Sequence, residues 1–562
     1  MPILPQPRSV AAVALTALSL LAFGQEKTAN SNSASSLTPK ILYQYLLAEV
    51  AATQGKLSFS SAAYLDLTKT TRDPRIARRA TEVAFFSHDQ EAALKAARLW
   101  VDIEPESADA RQSLWTLLAA TNRNDELAGL LTQVLANEGT NTASSIIGLG
   151  RLASRFSDKQ ASLRLVMQVT APYETLPETY YVRAQAAWAA KELERAKASI
   201  DRALALKPDW EPAILLKAQI LSGDTEKTLA VLSEFLARNP GARDAKMTYA
   251  RVLVDAKRYA EARQVFTELL EGQKDNAELL YSVGLLSMEM GDFATGDGYL
   301  KRVLDLDFAD MDSVRYYLGH GAEAGNRAQE AVDYFDTVSE RSPRYVSAQV
   351  RAATVLRQQG KLGDARRHLQ QAGAAAPKER IVLILAESQL LVESHQLDEA
   401  YKLLDSELSA HPNDTALLYE SAMLAEKAGK FDVLERNLRR LIKLKPGSAE
   451  AYNALGYSMA DRNIRLDEAQ KLIEKALRLA PQDAAILDSR GWLAFRRNDM
   501  PTALEFLRKA FVVNDDPEIA AHLGEVLWTQ GHHDDAEKIW DTAFKAHPDN
   551  EALSATIKRF KP

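Results

Sequence analysis

Several stretches of this 562-residue sequence carry residue types that do chemistry in other settings. Gly319-His320-Gly321 with Gly325 has the makings of a phosphate-cradling loop. Such a loop works only after a strand and at the opening of a helix, and here it lies inside a run of helical period, where glycines serve packing. Gly456-Tyr457-Ser458-Met459-Ala460 imitates a nucleophile elbow, but it too lacks the strand–turn–helix setting that exposes a nucleophile. His532-His533-Asp534-Asp535 offers four potential metal ligands, yet consecutive residues entering a helix point apart. Asp515-Asp516 fits helix capping better than paired-carboxylate catalysis. The nine His are otherwise scattered, and the absence of Cys excludes disulfides, thiolate zinc sites and Cys nucleophiles. The reading is therefore no catalytic residue, no metal and no cofactor, and a chain that is not an enzyme.

One constellation does suggest binding. Tyr457, Trp492 and Trp528 recur about 35 residues apart, accompanied by Asn453, Asp488, His522 and Glu525. A stripe of aromatics flanked by hydrogen-bonding groups is what a peptide-binding hot spot requires. The competing reading is that these rings only pack the core.

The elements that must position these residues repeat. Prolines recur at Pro343, Pro377, Pro412, Pro446 and Pro481, in steps of 34 or 35 residues, and Pro548 follows after two more units. Small residues stand in phase at Ala331, Ala365, Ala400, Ala469, Ala503 and Ala536, and a second rung at Gly284, Gly319, Ala353, Ala422, Gly456, Gly491 and Gly524. Four residues after each Ala comes a large apolar residue, such as Phe335, Ile473, Leu507 or Trp540. Apolar spacing of i, i+3, i+4 and i+7 predicts two short helices per unit. Gly291, Gly360, Gly429 and Gly531 are predicted to turn the chain between them. No such unit can bury its apolar faces alone, so the core must run on from unit to unit.

This pattern resembles the tetratricopeptide repeat, most closely at Tyr452, Leu455, Gly456, Ala469, Ile473, Ala476 and Pro481. The resemblance implies an all-α fold, a right-handed α-solenoid superhelix of about 15 helix pairs whose first helices line the concave surface. The expected organisation is degenerate repeats over 40–175, with 144–173 lacking the rungs, a regular array over 176–548 and a capping helix over 549–562. Some members grip a carboxyl terminus with Lys and Asn. Here those positions carry Ala416, Tyr419, Asn453, Asp488 and Glu518, and only Asn453 fits.

The amino terminus differs. Arg8 is the only charge before Glu26, residues 10–23 are apolar but for Thr16 and Ser19, and Gly24 closes a small-residue motif. This reads as a signal peptide, 1–24, followed by a polar tether, 25–39. With 69 Lys+Arg against 76 Asp+Glu, net −7, the chain is not built for nucleic acid. The mature chain is read as having no transmembrane span.

Together with Thr71-Arg72-Asp73-Pro74, residues 487–492 and residues 516–528, these features resemble one Gram-negative family. Its members are outer-membrane tetratricopeptide lipoproteins that serve as adaptors of a periplasmic carboxyl-terminal processing protease. The resemblance implies two kinds of partner, that protease and its peptidoglycan hydrolase substrates. The lipidation Cys is missing, since Gln25 follows the cleavage point. That favours a periplasmic protein and leaves outer-membrane association open. The alternative is a scaffold for assembling pili, exopolysaccharide or outer-membrane machinery.

Overall fold

The computed structural model describes residues 38–137 and 139–561. The expected signal peptide, and the tether up to residue 37, lie outside the described residues. Thr38 and Pro39 belong to the first helix rather than to a tether: the Thr38 hydroxyl accepts from the Ile41 N–H, and Pro39 takes the first turn of Pro39–Thr53, where its missing N–H costs nothing.

In all, thirty-one α-helices and no strand occur among the described residues. They are fifteen consecutive helix pairs and one closing helix, Glu551–Phe560. Repetition of one solution makes the count regular. Asp, Asn or Ser caps many of the first helices, as Asp414, Ser448, Asp483 and Asp516 do. Asp516 fulfils the capping role expected of it, accepting from the Glu518 N–H. Between helices the chain passes through a left-handed residue. Gly291, Gly360, Gly429 and Gly531 take it with φ of 70–84°, and Asn122, Asn326, His395 and Asn498 occupy the same kind of turn in other pairs. Among the described residues no helix is long and apolar enough to cross a membrane.

The described residues divide into two compact units, one ending at Val252 and the other beginning at Leu253. In the first, a continuous apolar core runs from Ala84 to Ile220, so the degenerate repeats are packed as the regular ones are. The stretch expected to lack rungs forms the helices Thr142–Ser154 and Lys159–Thr170. It does hold one close approach: a Cβ on Gly150 would stand 3.0–3.2 Å from Gln185 and Val182 of the helix Pro177–Ala189. That glycine admits the next pair's first helix instead of its own partner.

In the second unit the glycine rungs accept the large residue of their own second helix. A Cβ on Gly319 would lie 2.6 Å from Phe335, and one on Gly491 2.6 Å from Leu507; at Gly524 it would overlap the Trp540 indole. The Gly319-His320-Gly321 stretch thus packs within the helix Met311–Ala324, and Gly456-Tyr457-Ser458-Met459-Ala460 within Ala449–Asp461. Gly491→Ala is expected to destabilise the protein by about 1–3 kcal/mol through overpacking. Gly298→Ala, where a Cβ meets nothing within 4 Å, should leave it unchanged or slightly more stable. Equal thermal midpoints for the two variants would refute this account.

First helices of successive pairs touch: Ala449–Asp461 meets Ala484–Arg496, which meets Pro517–Thr529. In the second unit the second helices of successive pairs are linked at their surfaces by ion pairs, Lys301–Glu330, Arg366–Glu399 and Arg439–Glu468, at 2.5–3.1 Å, while Arg351–Glu323 and Arg357–Glu393 join first helices. Within the second unit it is the first helices that approach one another most closely.

Candidate functional site

The seven residues singled out from the sequence sit on three consecutive first helices. Ser448, Asp483 and Asp516 fix where each helix begins, and the Gly456, Gly491 and Gly524 rungs fix its rotation against the second helix. Residues counted from the same rung therefore share one face.

Four of the seven come together. His522 Nδ1 lies 2.9 and 3.0 Å from the two Asp488 carboxylate oxygens, to which it donates. Its Nε2 faces the Tyr457 hydroxyl at 3.4 Å. The Trp492 indole stacks on the imidazole, with centroids 4.1 Å apart and planes 19° from parallel. Trp492 Nε1 donates to Asp461 at 3.2 Å, and Arg496 donates to the carbonyls of Ala460 and Asp461. Trp492 is 4% exposed and Asp488 6%. Trp492 is thus a packing residue, with its indole N–H spent on Asp461.

The other three do something else. Asn453 lies one turn before Tyr457, its Oδ1 buried and without a hydrogen-bond donor. Glu525 is ion-paired with Arg559 of the closing helix. Trp528 packs away from the stripe, against His533 at 4.1 Å, Trp540 at 5.7 Å and Phe560 at 6.1 Å. The expected three-membered stripe is therefore a two-membered one. The reason is register: Gly491 and Gly524 are 33 residues apart, against 35 for Gly456 and Gly491. The residue after the rung is Tyr457, Trp492 and then Glu525, and Trp528 falls nearly one turn further along.

Residues missed from the sequence complete the site. The Tyr457 phenol is pushed far above its ordinary range by burial and then by the charges of Asp461, Asp488, Glu518 and Glu426. Burial raises the Glu426 carboxyl, the Ser458 hydroxyl opposes this, and the Asp461 charge reinforces it. Counting from the rung would have found Glu426 and Asp461, four and five residues after Ala422 and Gly456.

His522 is the one basic side chain held at the centre. Burial depresses its pKa, but Asp488, helped by Asp461 and Glu525, outweighs burial and raises it above 6.5. The imidazolium then donates to Asp488 from Nδ1 and to Tyr457 from Nε2, tying three helix pairs together. A group whose folded pKa is raised stabilises the fold fully below its unfolded pKa of 6.5 and loses that contribution as pH rises through the folded value. The stability difference between wild type and His522→Gln should therefore shrink on going from pH 6 to alkaline pH. Proton NMR of His522 should titrate with a midpoint above 6.5, and a midpoint below 6.5 would contradict the geometry.

No group of three or more His, Asp or Glu placed to hold a metal ion occurs among the described residues. At 532–535, His532 precedes the helix His533–Ala546 and the His533 ring rests on Trp528.

Three models described as tetratricopeptide repeat match the chain, over residues 177–209, 219–286, and 316–380 with 460–512. The chain is similar to TPR repeat-containing protein PA4667 of Pseudomonas aeruginosa, 31% identical over 508 residues, covering 89% of this chain and 84% of that protein. It is 21% identical to TPR repeat-containing protein YpiA of Bacillus subtilis, over 63% of this chain and 84% of that one. Among solved structures, TTC0263, a thermophilic TPR protein of Thermus thermophilus, aligns with 32% of this chain and 96% of its own, at 23% identity and a TM-score of 0.29.

Proposed function

Because the chain belongs to the tetratricopeptide-repeat family, we propose that it is a non-enzymatic scaffold that holds segments of partner proteins along its first helices. The observation that carries this is the shared face of the first helices. Successive first helices touch, and along three of them Tyr457, Asp488 and His522 meet across consecutive repeats.

The finer reading is an adaptor in the periplasm that binds a carboxyl-terminal processing protease and presents peptidoglycan hydrolases to it. It is supported by the family resemblance of residues 453–457, 487–492 and 516–528 and by the export-like amino terminus. Holding protease and substrate on one chain makes their encounter nearly intramolecular, which raises cleavage with no new chemistry.

The test is reconstitution. Residues 25–562 used as bait in periplasmic extract should retain a serine protease of that class and a murein hydrolase, identified by mass spectrometry. Adding the purified chain should then accelerate hydrolase cleavage by about tenfold or more. Cleavage at the same rate with and without the chain would end the adaptor reading. N-terminal sequencing of protein made in a Gram-negative host should begin near Gln25, and an intact Met1 on a cytoplasmic product would refute export.

A further inference from the structure

The second helices share one plan beyond their small-residue rung. Seven residues after it stands Ala203, Ala372, Ala476, Ala510 or Ala543, and the next residue is large and apolar in most repeats: Leu204, Leu477, Phe511 and Phe544. Leu408 and Ile442 hold the same place in two others. This residue packs into the following pair: Leu204 rests on the cluster of Ile214, Ala218 and Leu232, and Leu477 on that of Leu487, Ala510 and Ile519. Gly373 breaks the plan. A Cβ there would meet nothing nearer than 3.7 Å. In place of the missing side chain lies a cavity of about 140 Å³, between Leu369 of Leu362–Ala375, Ile384 of Arg380–Glu393 and Leu403 of Leu397–Ala410.

Two further departures meet in the same cavity. Glu407 stands where other repeats carry Ala476 or Ala510, and its carboxylate pairs with Arg380 at 2.6 Å. Glu387, from the first helix between them, is 1% exposed and lines the cavity. Arg366 Nε and Gln370 Nε2 both donate to its Oε1, each at 2.9 Å. No donor among the described residues reaches its Oε2. Arg366 is also shared with Glu399, at 3.1 Å. The ion pairs at the cavity thus set three carboxylates, Glu387, Glu399 and Glu407, against two guanidiniums, Arg366 and Arg380. A buried carboxylate oxygen is seldom left without a donor, and a void where neighbouring repeats bury a leucine forfeits that leucine's contacts.

The occupant these features call for has an aliphatic body, to replace a leucine, and a cationic tip, to donate to Oε2. A lysine side chain has both, a methylene stem that packs on apolar surface and an ammonium with three donors. Arginine's planar fork seeks two carboxylate oxygens, and Oε1 is already taken.

We propose that the cavity at Gly373 is a docking hole for a lysine side chain of a partner protein, with its stem against Leu369, Ile384 and Leu403 and its ammonium on Glu387 Oε2. The scaffold reading supplies only the premise that the occupant belongs to a protein. The hole lies in helix pairs other than those of Tyr457, Asp488 and His522, so a partner seated in it leaves that group free. One chain then carries two separate attachment points, as holding two proteins at once requires.

The test uses the full mature chain, residues 25–562, and n-butylammonium, the lysine side chain without its backbone. Controls are n-butanol and tetramethylammonium, a cation with no N–H. Saturation-transfer NMR should show butylammonium bound, butanol bound more weakly and tetramethylammonium not bound. Gly373→Leu, which restores the residue of the other repeats, should weaken butylammonium binding by about tenfold or more while the melting midpoint holds or rises. Glu387→Gln should abolish the preference for butylammonium over butanol. Because that change also disturbs the Arg366 pair, Gly373→Leu guards against loss through misfolding. Gly363→Leu on the same helix, where a Cβ meets nothing within 4 Å, should leave binding unchanged. Equal binding by wild type and Gly373→Leu would overturn the proposal. So would no transfer to butylammonium, which would mean a hole that holds only water, or butanol bound as well as butylammonium, which would assign it to a neutral aliphatic group. Butylammonium held at this hole by a chain that accelerates no hydrolase cleavage would keep this inference and sink the adaptor. Accelerated cleavage with no butylammonium binding would do the reverse.

Discussion

Trp492→Ala is expected to lower the unfolding free energy of the last helix pairs by about 3–5 kcal/mol, as removal of a buried indole does. The side chain is 4% exposed, its face is covered by His522 and its Nε1 is bonded to Asp461. Loss of the ring should also free the imidazole from its alignment with Asp488 and let the His522 titration midpoint fall back toward 6.5. Circular dichroism melts and histidine NMR on one sample would read both effects. An unchanged melting profile with lost partner binding would mean instead that Trp492 is a contact residue. Tyr457→Ala should cost less in stability, because its ring is less buried than Trp492 and its hydroxyl meets His522 only at 3.4 Å.

The second large effect concerns the end of the chain. Glu551–Phe560 covers Trp528 and Trp540, buries Leu553 completely and supplies Arg559 to Glu525. A stop after Asn550 would expose this aromatic surface and leave Glu525 uncompensated. The expected cost is about 3 kcal/mol or more from apolar exposure alone, and the variant should self-associate. Limited proteolysis should then begin within 517–546, ahead of any cut in the preceding pairs. Wild-type resistance to protease in the truncated chain would show that the closing helix is dispensable.

Much of the architecture was legible because each repeat solves one packing problem with one residue type. A small residue must stand where Leu507 or Trp540 enters, so Gly491 and Gly524 announce the helix pair. Fifteen pairs and a closing helix could be counted from such marks. The degenerate stretch concealed its rung because Gly150 receives Val182 from the next pair, which breaks the expected phase.

The site was legible only in part. Tyr457 and Trp492 were found, but a 33-residue unit shifted the register under Trp528. The bond from His522 to Asp488 spans one repeat, 34 residues, and nothing local in sequence announces it. The acids around Tyr457 were missed for a different reason. An isolated Glu on a helix reads as a solvated face, and only its neighbours in space show which charges act on it.

The ion pairs that join second helices have a mechanical consequence. Lys301–Glu330, Arg366–Glu399 and Arg439–Glu468 sit on the edge of second helices, with side chains about a third to a half exposed. Pairs of that kind are worth little singly and are screened by salt, whereas the close packing between first helices is not screened. Bending stiffness within the second unit is therefore divided between a salt-sensitive edge of second helices and a more closely packed edge of first helices, to which Arg351–Glu323 and Arg357–Glu393 add a smaller salt-sensitive share. Raising ionic strength slackens the edge of second helices first, as loosening one leaf of a spring softens it without detaching the other. The spacing of the first helices, and with it the length of segment they match, becomes adjustable at small energetic cost while every helix pair stays folded.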